Sequence, residues 1–141
     1  MEKIVSVNVI SHKLALKAAE ATVAKGSELG CSIVVAIVGP GGELIAFLRA
    51  NGAPLPSAKI AQDKAYSAAS FRIPTPQLYE MVSGNPALRD GIMSQPGIAL
   101  FGGGLPIEID GEFVGAIGVS GSTEEQDIEC ATAGLASIGA K

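Results

Sequence analysis

The glycine-rich stretch "LFGGGLPIEIDGEFVGAIGVSG", residues 100–121, constrains the fold of this chain more than any other segment. Seven of its twenty-two residues are glycine, yet the residues between them follow the pattern of two β-strands joined at Asp110-Gly111, a strong hairpin signal. Glycine weakens a strand because it loses the most backbone entropy and offers no side chain to pack. The stretch therefore predicts either a sharp bend or the close approach of another group to the backbone.

Turn and cap signals divide the rest of the chain into helices and a second hairpin. Residues 11–30 predict a helix with Ser11 as its N-cap and Gly30 at its C-terminal end. Two apolar runs around "GPGGE" predict a hairpin over residues 31–50. A second helix follows, for which Ser57 is the expected N-cap.

The last third of the chain completes an α+β pattern. Four prolines in residues 72–97 indicate an irregular cover segment with short helical pieces. A closing helix over residues 122–140 has Ser122 or Thr123 as its cap. Because hairpins outnumber crossovers, we expect one domain over residues 1–141, with a mainly antiparallel sheet of about five strands flanked by helices.

Composition excludes several classes of protein. The 141 residues are 48% hydrophobic and 17% charged, with a net charge of −4, and they contain no basic run of the kind that binds nucleic acid. No apolar run approaches the ~20 residues that span a bilayer, and the first residues lack the apolar core of a signal peptide. Cys31 and Cys130 have no metal-type spacing. We therefore expect a reduced, cytoplasmic protein, and the low charge suggests that other subunits cover part of its surface.

The second predicted helix carries one lysine on its apolar side. On a helical wheel, Lys64 falls within the arc formed by Ile60, Ala61, Ala65 and Ala68. Burying an ammonium group is costly unless the group finds an anion or the mouth of a pocket. Lys64 is therefore either a ligand-binding or catalytic cation, or a lysine whose stem packs while its charged end reaches solvent or forms a structural pair.

The "FGGGLP" segment resembles no nucleotide-binding fingerprint. Gly102, Gly103 and Gly104 offer backbone N–H groups without side-chain bulk, so that a flat or anionic ligand could lie close to them, beside Phe101. The alternative is a bulge or a sharp bend of the strand. The sequence leaves both interpretations open.

Acidic residues follow the last predicted strand. Gly121 ends this strand, and Glu124, Glu125 and Asp127 lie in the first turn of the closing helix, where the helix dipole favours negative charge. Glu124 and Asp127 lie along the buried side, so either could pair with Lys64. For Glu125, capping of the helix is the simpler interpretation, although Glu125 and Asp127 are also candidate acid–base partners for a catalytic Lys64.

His12 is the single histidine of the chain. It lies in the first turn of the first helix, and the wheel places it with the apolar residues Leu16, Ala19 and Val23. A histidine there could be an axial ligand for a metal in a flat cofactor, or a packed and hydrogen-bonded core residue. One histidine without clustered cysteines does not predict a closed zinc site.

Two long segments resemble a known family. "VAIVGPGGELIAFLRANGAPLPSAKIAQDKAYSAASF" and "FGGGLPIEIDGEFVGAIGVSGSTEEQD" are similar to the GlcG/HbpS-type family, which includes the C-terminal domain of PduO-type proteins, over about residues 15–137. The resemblance implies a profilin-like α/β sandwich with about five antiparallel strands, assembled as tetramers or octamers. The chain departs from the family pattern at Gly39, where an aspartate is usual.

The resemblance also implies a site. The positions that match the family motifs are Lys64, Gly102, Gly103, Gly104, Gly121, Glu125 and Asp127. Some family members bind haem or related tetrapyrroles, one branch is described as haem-degrading, and many occur beside glycolate or diol metabolism. A histidine early in the domain and a threonine have both been implicated as axial ligand, which makes His12 a candidate.

Two functions compete on this basis. The first is an oligomeric binding protein for haem or another tetrapyrrole, accessory to glycolate- or diol-type metabolism. The second is a small-molecule enzyme acting on an oxygenated metabolite, with Lys64 as an electrostatic clamp or base in a pocket floored by the glycine-rich backbone. A structural or accessory oligomer, in which the glycines serve only the fold, is a third possibility.

Overall fold

The computed structural model describes residues 1–141 and shows a four-stranded antiparallel sheet with five helices. The elements in chain order are α1 (His12–Glu28), β1 (Val34–Val38), β2 (Leu44–Arg49), α2 (Ser57–Phe71), α3 (Thr75–Ser83), α4 (Pro86–Met93), β3 (Gly104–Ile109), β4 (Glu112–Ser120) and α5 (Glu124–Ser137). The strand order is β2-β1-β4-β3, so that each predicted hairpin forms one half of the sheet. The α+β class is confirmed.

The sheet has four strands where the sequence predicted about five. The predicted third strand began near residue 98, but β3 begins only at Gly104, because side chains rather than a neighbouring strand bond to the backbone at residues 97, 99 and 101. The Ser67 hydroxyl donates to the Gly97 carbonyl (3.1 Å) and accepts from the Ala99 N–H (2.8 Å). The Thr75 hydroxyl in turn donates to the carbonyl of Phe101, just before the glycine run, and accepts from the N–H of Gly104, its last glycine. Residues 98–103 are therefore fixed to α2 and α3.

The helices cover the sheet on both faces. One core lies between the sheet and the pair α1 and α5, and contains Ile33, Val35, Ile37, Ile117 and Val119. The second core lies between the other face and α2, and its contributions from that helix are all alanine. Because β1 is buried on both faces, its sequence is a continuous apolar run rather than an alternating one.

Two glycines of the opening stretch allow α2 to lie directly on the sheet. A Cβ atom at Gly118 would stand 2.5 Å from the backbone nitrogen of Ala65, and a Cβ atom at Gly104 would stand 2.5 Å from the carbonyl oxygen of Lys64. Any larger residue at either position would push the helix away. The close approach expected from the glycine content is thus the approach of the protein's own helix.

The turn and cap predictions are largely confirmed. Ser11 accepts a hydrogen bond from the Leu14 N–H (3.2 Å), and Thr123 caps α5 through the Gln126 N–H (3.2 Å). Asp110 and Gly111 have φ values of 53° and 80°, as a type I′ turn requires.

The predicted cap of the second helix is wrong, because Pro56 occupies the N-cap position of α2 and Ser57 is its first residue. The Ser57 hydroxyl is buried and accepts instead from the Ser120 hydroxyl (3.2 Å). The structure also shows what replaces the usual aspartate at Gly39. The Glu43 carboxylate fills the space where a side chain at residue 39 would lie. No helix has both the length and the apolar character needed to cross a membrane.

Candidate functional site

Lys64 is the largest fully buried side chain of the protein, as its place on the apolar arc of the wheel allowed. Its Nζ donates to the carbonyl oxygen of Val119 (2.8 Å) and to Oδ2 of Asp127 (3.1 Å), and it lies 4.7 Å from the centroid of the Phe101 ring. An ammonium group has three N–H donors. Two of these donors are bonded to oxygens, and the Phe101 ring lies close to the ammonium group as well.

The glycine bend makes room for this ammonium group. Val119 of β4 donates its N–H to the carbonyl of Gly103 (2.9 Å), as in an antiparallel ladder, but Gly103 has a φ of 132° and its own N–H does not return the bond. Lys64 Nζ takes that place by donating to the Val119 carbonyl. A Cβ atom at Gly103 would lie 2.8 Å from Nζ. The Lys64 side chain thus supplies the hydrogen bond to Val119 that the backbone N–H of Gly103 would make in a regular ladder.

Asp127 is held by backbone on its other side. Its Oδ1 accepts from the Ser122 N–H (3.0 Å), just before α5, while Oδ2 accepts from Lys64. Both side chains are almost fully buried. Of the two acids that the sequence offered as partners, Asp127 forms the pair, whereas Glu124 is exposed and forms no ion pair with Lys64.

Burial dominates the electrostatics of the pair. Removal from water lowers the pKa of Lys64, and the charge and hydrogen bond of Asp127 oppose that shift. Burial likewise raises the pKa of Asp127, against the charge and hydrogen bond of Lys64 and the hydrogen bond from Ser122. Each member of the pair therefore supplies the interaction that keeps the other charged.

The remaining candidate residues surround this pair in different ways. Gly102 is buried, and a Cβ atom there would stand 2.7 Å from Cδ1 of Ile128 on α5. Gly121 has a φ of 133° and packs against the backbone at Ser32. Glu125 is exposed at the start of α5. The cavities of the structure are lined by other residues than Lys64, Asp127 and the buried glycines.

Phe101 connects the buried pair to the surface. Its ring lies over Lys64 Nζ, yet the residue is 43% exposed and lines two surface cavities. Of the groups that contact the Lys64 ammonium, Phe101 alone is accessible to a ligand of any size.

His12 lies at the other end of the sheet from this cluster. It is exposed at the first residue of α1, two residues after Ile10, whose N–H donates to the carbonyl of Val114 (3.0 Å). Lys64 contacts the same strand at Val119, five residues further on and thus about 17 Å away. The wheel placed His12 with buried residues, but the burial of α1 is centred on Ala15, Ala18, Ala19 and Thr22. Within one chain, His12 and the Lys64 cluster do not share a site.

Sequence reasoning missed Thr75, which fixes the glycine run. Its hydroxyl donates to the carbonyl of Phe101 (2.6 Å) and accepts from the Gly104 N–H (3.1 Å), and the residue is completely buried. A threonine between two prolines, in a segment interpreted as irregular cover, gives no pattern that predicts this role. The nearby Ser67 was expected only as a helix residue.

The protein is a small α+β domain in which a buried lysine–aspartate pair, Lys64 and Asp127, lies against the glycine-rich start of β3. The HbpS-like family model, described as haem degrading protein HbpS-like, matches residues 10–136. The chain therefore belongs to the HbpS-like family.

Relatives in sequence are of two kinds. An uncharacterized 15.0 kDa protein in the dhaT-dhaS intergenic region of Citrobacter freundii is 35% identical over 128 residues, which cover 90% of each chain. The corrinoid adenosyltransferase PduO of Salmonella typhimurium is 33% identical over 120 residues, which cover 84% of this chain but only 35% of PduO. The chain thus spans about a third of that longer relative.

Solved structures agree with this assignment. Klebsiella pneumoniae protein ORFY superimposes with a TM-score of 0.91 at 31% identity, covering 99% of this chain and 97% of ORFY. A PduOC:heme complex superimposes with a TM-score of 0.87 at 29% identity, covering 94% and 97% of the two chains.

Proposed function

We propose that this protein is an oligomeric binding protein for haem or a related tetrapyrrole. The observation that carries the proposal is the PduOC:heme complex, a haem-bound neighbour that matches nearly the whole of this chain. The relationship to a corrinoid adenosyltransferase also favours this ligand class, because a corrinoid is a modified tetrapyrrole. The resemblance to the GlcG/HbpS-type family extends the proposal to an accessory role in glycolate- or diol-type metabolism.

The surface supports the oligomeric part of the proposal. Residues 1–9 are exposed throughout and contain four apolar side chains, Ile4, Val5, Val7 and Val9, that are each more than half exposed. A cluster of exposed apolar side chains in one short segment is typical of a contact with another chain. Light scattering on the purified protein tests this part: a tetramer or octamer supports it, and a monomer at micromolar concentration contradicts it.

His12 is the iron ligand that the sequence proposes for such a site. An imidazole is a common axial ligand of haem iron, and His12 is accessible on the surface. Haem, when bound, would supply an iron centre, and the axial ligand and the surrounding residues would set the reactivity of that iron. The donor type fits, whereas the surroundings of His12 include no cavity that it lines.

The enzyme alternative depends on Lys64. Its ammonium group is enclosed by Val119, Asp127 and Phe101, and the residue is 1% exposed. A general base must come within hydrogen-bonding distance of the proton that it abstracts. The geometry therefore favours a stabilising role for Lys64 over a catalytic one.

A spectroscopic titration tests the proposed function. The purified protein is titrated with hemin, beside a His12→Ala variant of the same preparation. We expect a saturable Soret shift at one hemin per chain. A change that does not saturate, or that equals the change produced by an unrelated protein of the same charge, contradicts haem binding.

A further inference from the structure

The two edges of the sheet differ in how their backbone groups are bonded. At the β3 edge, the N–H and the carbonyl of Glu108 both bond to the backbone of Lys141 (3.1 Å each). The Gly104 N–H donates to the Thr75 hydroxyl, and Pro106 has no N–H to offer. The β3 edge is therefore closed to a further strand, because its outward donors are already used or missing.

The opposite edge, formed by β2, is open. Ala50 donates its N–H to the carbonyl of Ile33 (2.9 Å), which fixes the residues of this strand that bond to β1. Because the bonds of an antiparallel pair involve every second residue, the backbone groups of Phe47 and Arg49 point away from β1. No hydrogen bond from a loop or a side chain reaches them. Two N–H and two carbonyl groups are therefore free to bond to another strand.

The side chains of β2 do little to protect this edge. Free edges are usually blunted by lysine, proline or a bulge. The strand reads LIAFLR, without lysine or proline, and its irregularity lies at its first residues, opposite Ile37 and Val38. Leu44 is 50% exposed and Phe47 is 39% exposed. An apolar, unblocked edge of this kind favours pairing with another chain.

Leu44 and Phe47 also lie on the same face of the sheet. They are opposite Val38 and Ala36, which belong to the core beneath α2. Helix α2 packs mainly on β1, β3 and β4, so that this face of β2 lacks the cover that the other strands have. A second apolar strand beside β2 would cover both side chains.

The charges at the two ends of β2 are complementary. The exposed Glu43 precedes the strand and Arg49 ends it, and neither forms an ion pair within the chain. The Arg49 guanidinium bonds only to the carbonyls of Ala53 and Pro54. When two copies of β2 run antiparallel, the start of each strand lies beside the end of the other. Glu43 of one copy then lies near Arg49 of the second copy, twice in one dimer.

We propose that β2 pairs antiparallel with β2 of a second copy across a two-fold axis, so that two four-stranded sheets form one continuous sheet. A two-fold axis uses the same surface on both subunits, as the self-complementary charges of this edge require. The inference rests on the oligomeric part of the proposed function and adds the surface that joins the subunits. A tetramer or octamer needs a further interface, for which the exposed residues 1–9 remain available.

Phe47→Lys tests the pairing, and Leu88→Lys on α4 is its matched control, because both residues are exposed and both variants add one positive charge. Across the proposed axis the two introduced charges lie close together and repel each other. We expect light scattering at micromolar concentration to give half the wild-type particle mass for Phe47→Lys and the full mass for Leu88→Lys. Hydrogen exchange of residues 44–49 should be at least ~10-fold faster in Phe47→Lys, with unchanged circular dichroism.

A charge exchange tests the orientation of the two strands. Arg49→Glu places two acidic groups together at each end of the pair, so we expect dissociation to half the particle mass. Glu43→Arg/Arg49→Glu reverses both charges and should restore the wild-type mass. If the double variant dissociates as readily as Arg49→Glu, the antiparallel pairing is wrong.

The outcomes separate the interface from the proposed function. If the wild type is a monomer, the oligomeric part of the proposed function and the interface both fail, whereas the hemin titration still decides on haem binding. If the wild type is an oligomer and Phe47→Lys keeps its mass and its exchange rates, the oligomer stands and the interface is wrong. If Val7→Lys also speeds exchange of residues 44–49 and the charge exchange restores nothing, the edge binds the N-terminal segment of another copy, and the proposed pairing is wrong.

Discussion

Replacing Lys64 by methionine removes the charge of the buried pair and keeps most of the side-chain volume. The change leaves the Asp127 carboxylate with one hydrogen bond, from Ser122, and leaves the Val119 carbonyl without its ammonium donor. Breaking a buried ion pair by removing one partner costs about 3–5 kcal/mol. Because a domain is stable by about 5–15 kcal/mol, the variant should fold but with a large loss of stability.

The loss depends on pH in a direction that the structure fixes. Burial already raises the pKa of Asp127 above its ordinary value of 3.8, and removing Lys64 removes the largest opposing interaction. A carboxyl whose pKa is raised on folding contributes stability that is fully present below its unfolded pKa and is lost as pH rises through its folded pKa. The deficit of Lys64→Met should therefore be small near pH 4 and grow toward neutral pH.

Urea denaturation followed by circular dichroism at pH 4.5 and pH 7 measures both quantities, since the chain has no tryptophan. The Lys64→Met/Asp127→Asn double variant removes both charges and keeps an acceptor for Ser122, so it should regain about 2 kcal/mol relative to the single variant. A deficit below about 1 kcal/mol at pH 7 that does not change with pH would refute the view that the ammonium stabilises a buried carboxylate.

Two further predictions concern the packing of the core. Gly118→Ala places a Cβ atom 2.5 Å from the Ala65 nitrogen and should lower stability by about 2–3 kcal/mol. The control is Gly84→Ala, whose added Cβ atom meets nothing within 4 Å and should change stability by less than about 1 kcal/mol. Equal melting temperatures of the Gly118→Ala and Gly84→Ala variants would contradict the close contact between Gly118 and α2. Cys130 is fully buried and burial raises its pKa to about 11, so a thiol reagent at pH 8 should label the partly exposed Cys31 and reach Cys130 only in urea.

The sequence predicted the parts of the fold that depend on local patterns. Asp110-Gly111 predicted a type I′ turn because both positions need positive φ, and Ser11 predicted a helix start because its hydroxyl can accept from an N–H three residues on. It did not predict that the third strand starts as late as Gly104. That start depends on hydroxyls from Ser67 and Thr75, which are distant in sequence, and no local pattern records such contacts.

Parts of the candidate site were predictable for a different reason. Lys64 stood out because an ammonium group on an alanine face needs an anion, a pocket or a path to solvent, and the sequence left these alternatives open; the structure shows a pair with Asp127. The pattern could not say whether solvent reaches the pair, because that depends on how closely Gly103 and Gly104 approach α2. Likewise, the wheel of α1 could not show that the burial of the helix is centred on its alanines, which leaves His12 exposed.

The unusual residues of this chain serve a common physical purpose. The glycines let α2 lie on the sheet, and Lys64 then supplies the hydrogen bond that the twisted backbone at Gly103 no longer makes. Once Lys64 is enclosed in this way, it cannot reach a ligand, and the single accessible part of the cluster is the outer face of Phe101. Variation in ligand or affinity among proteins with this core is therefore expected at the exposed positions of α3 and α4, which can change side chains without disturbing the buried pair or Thr75.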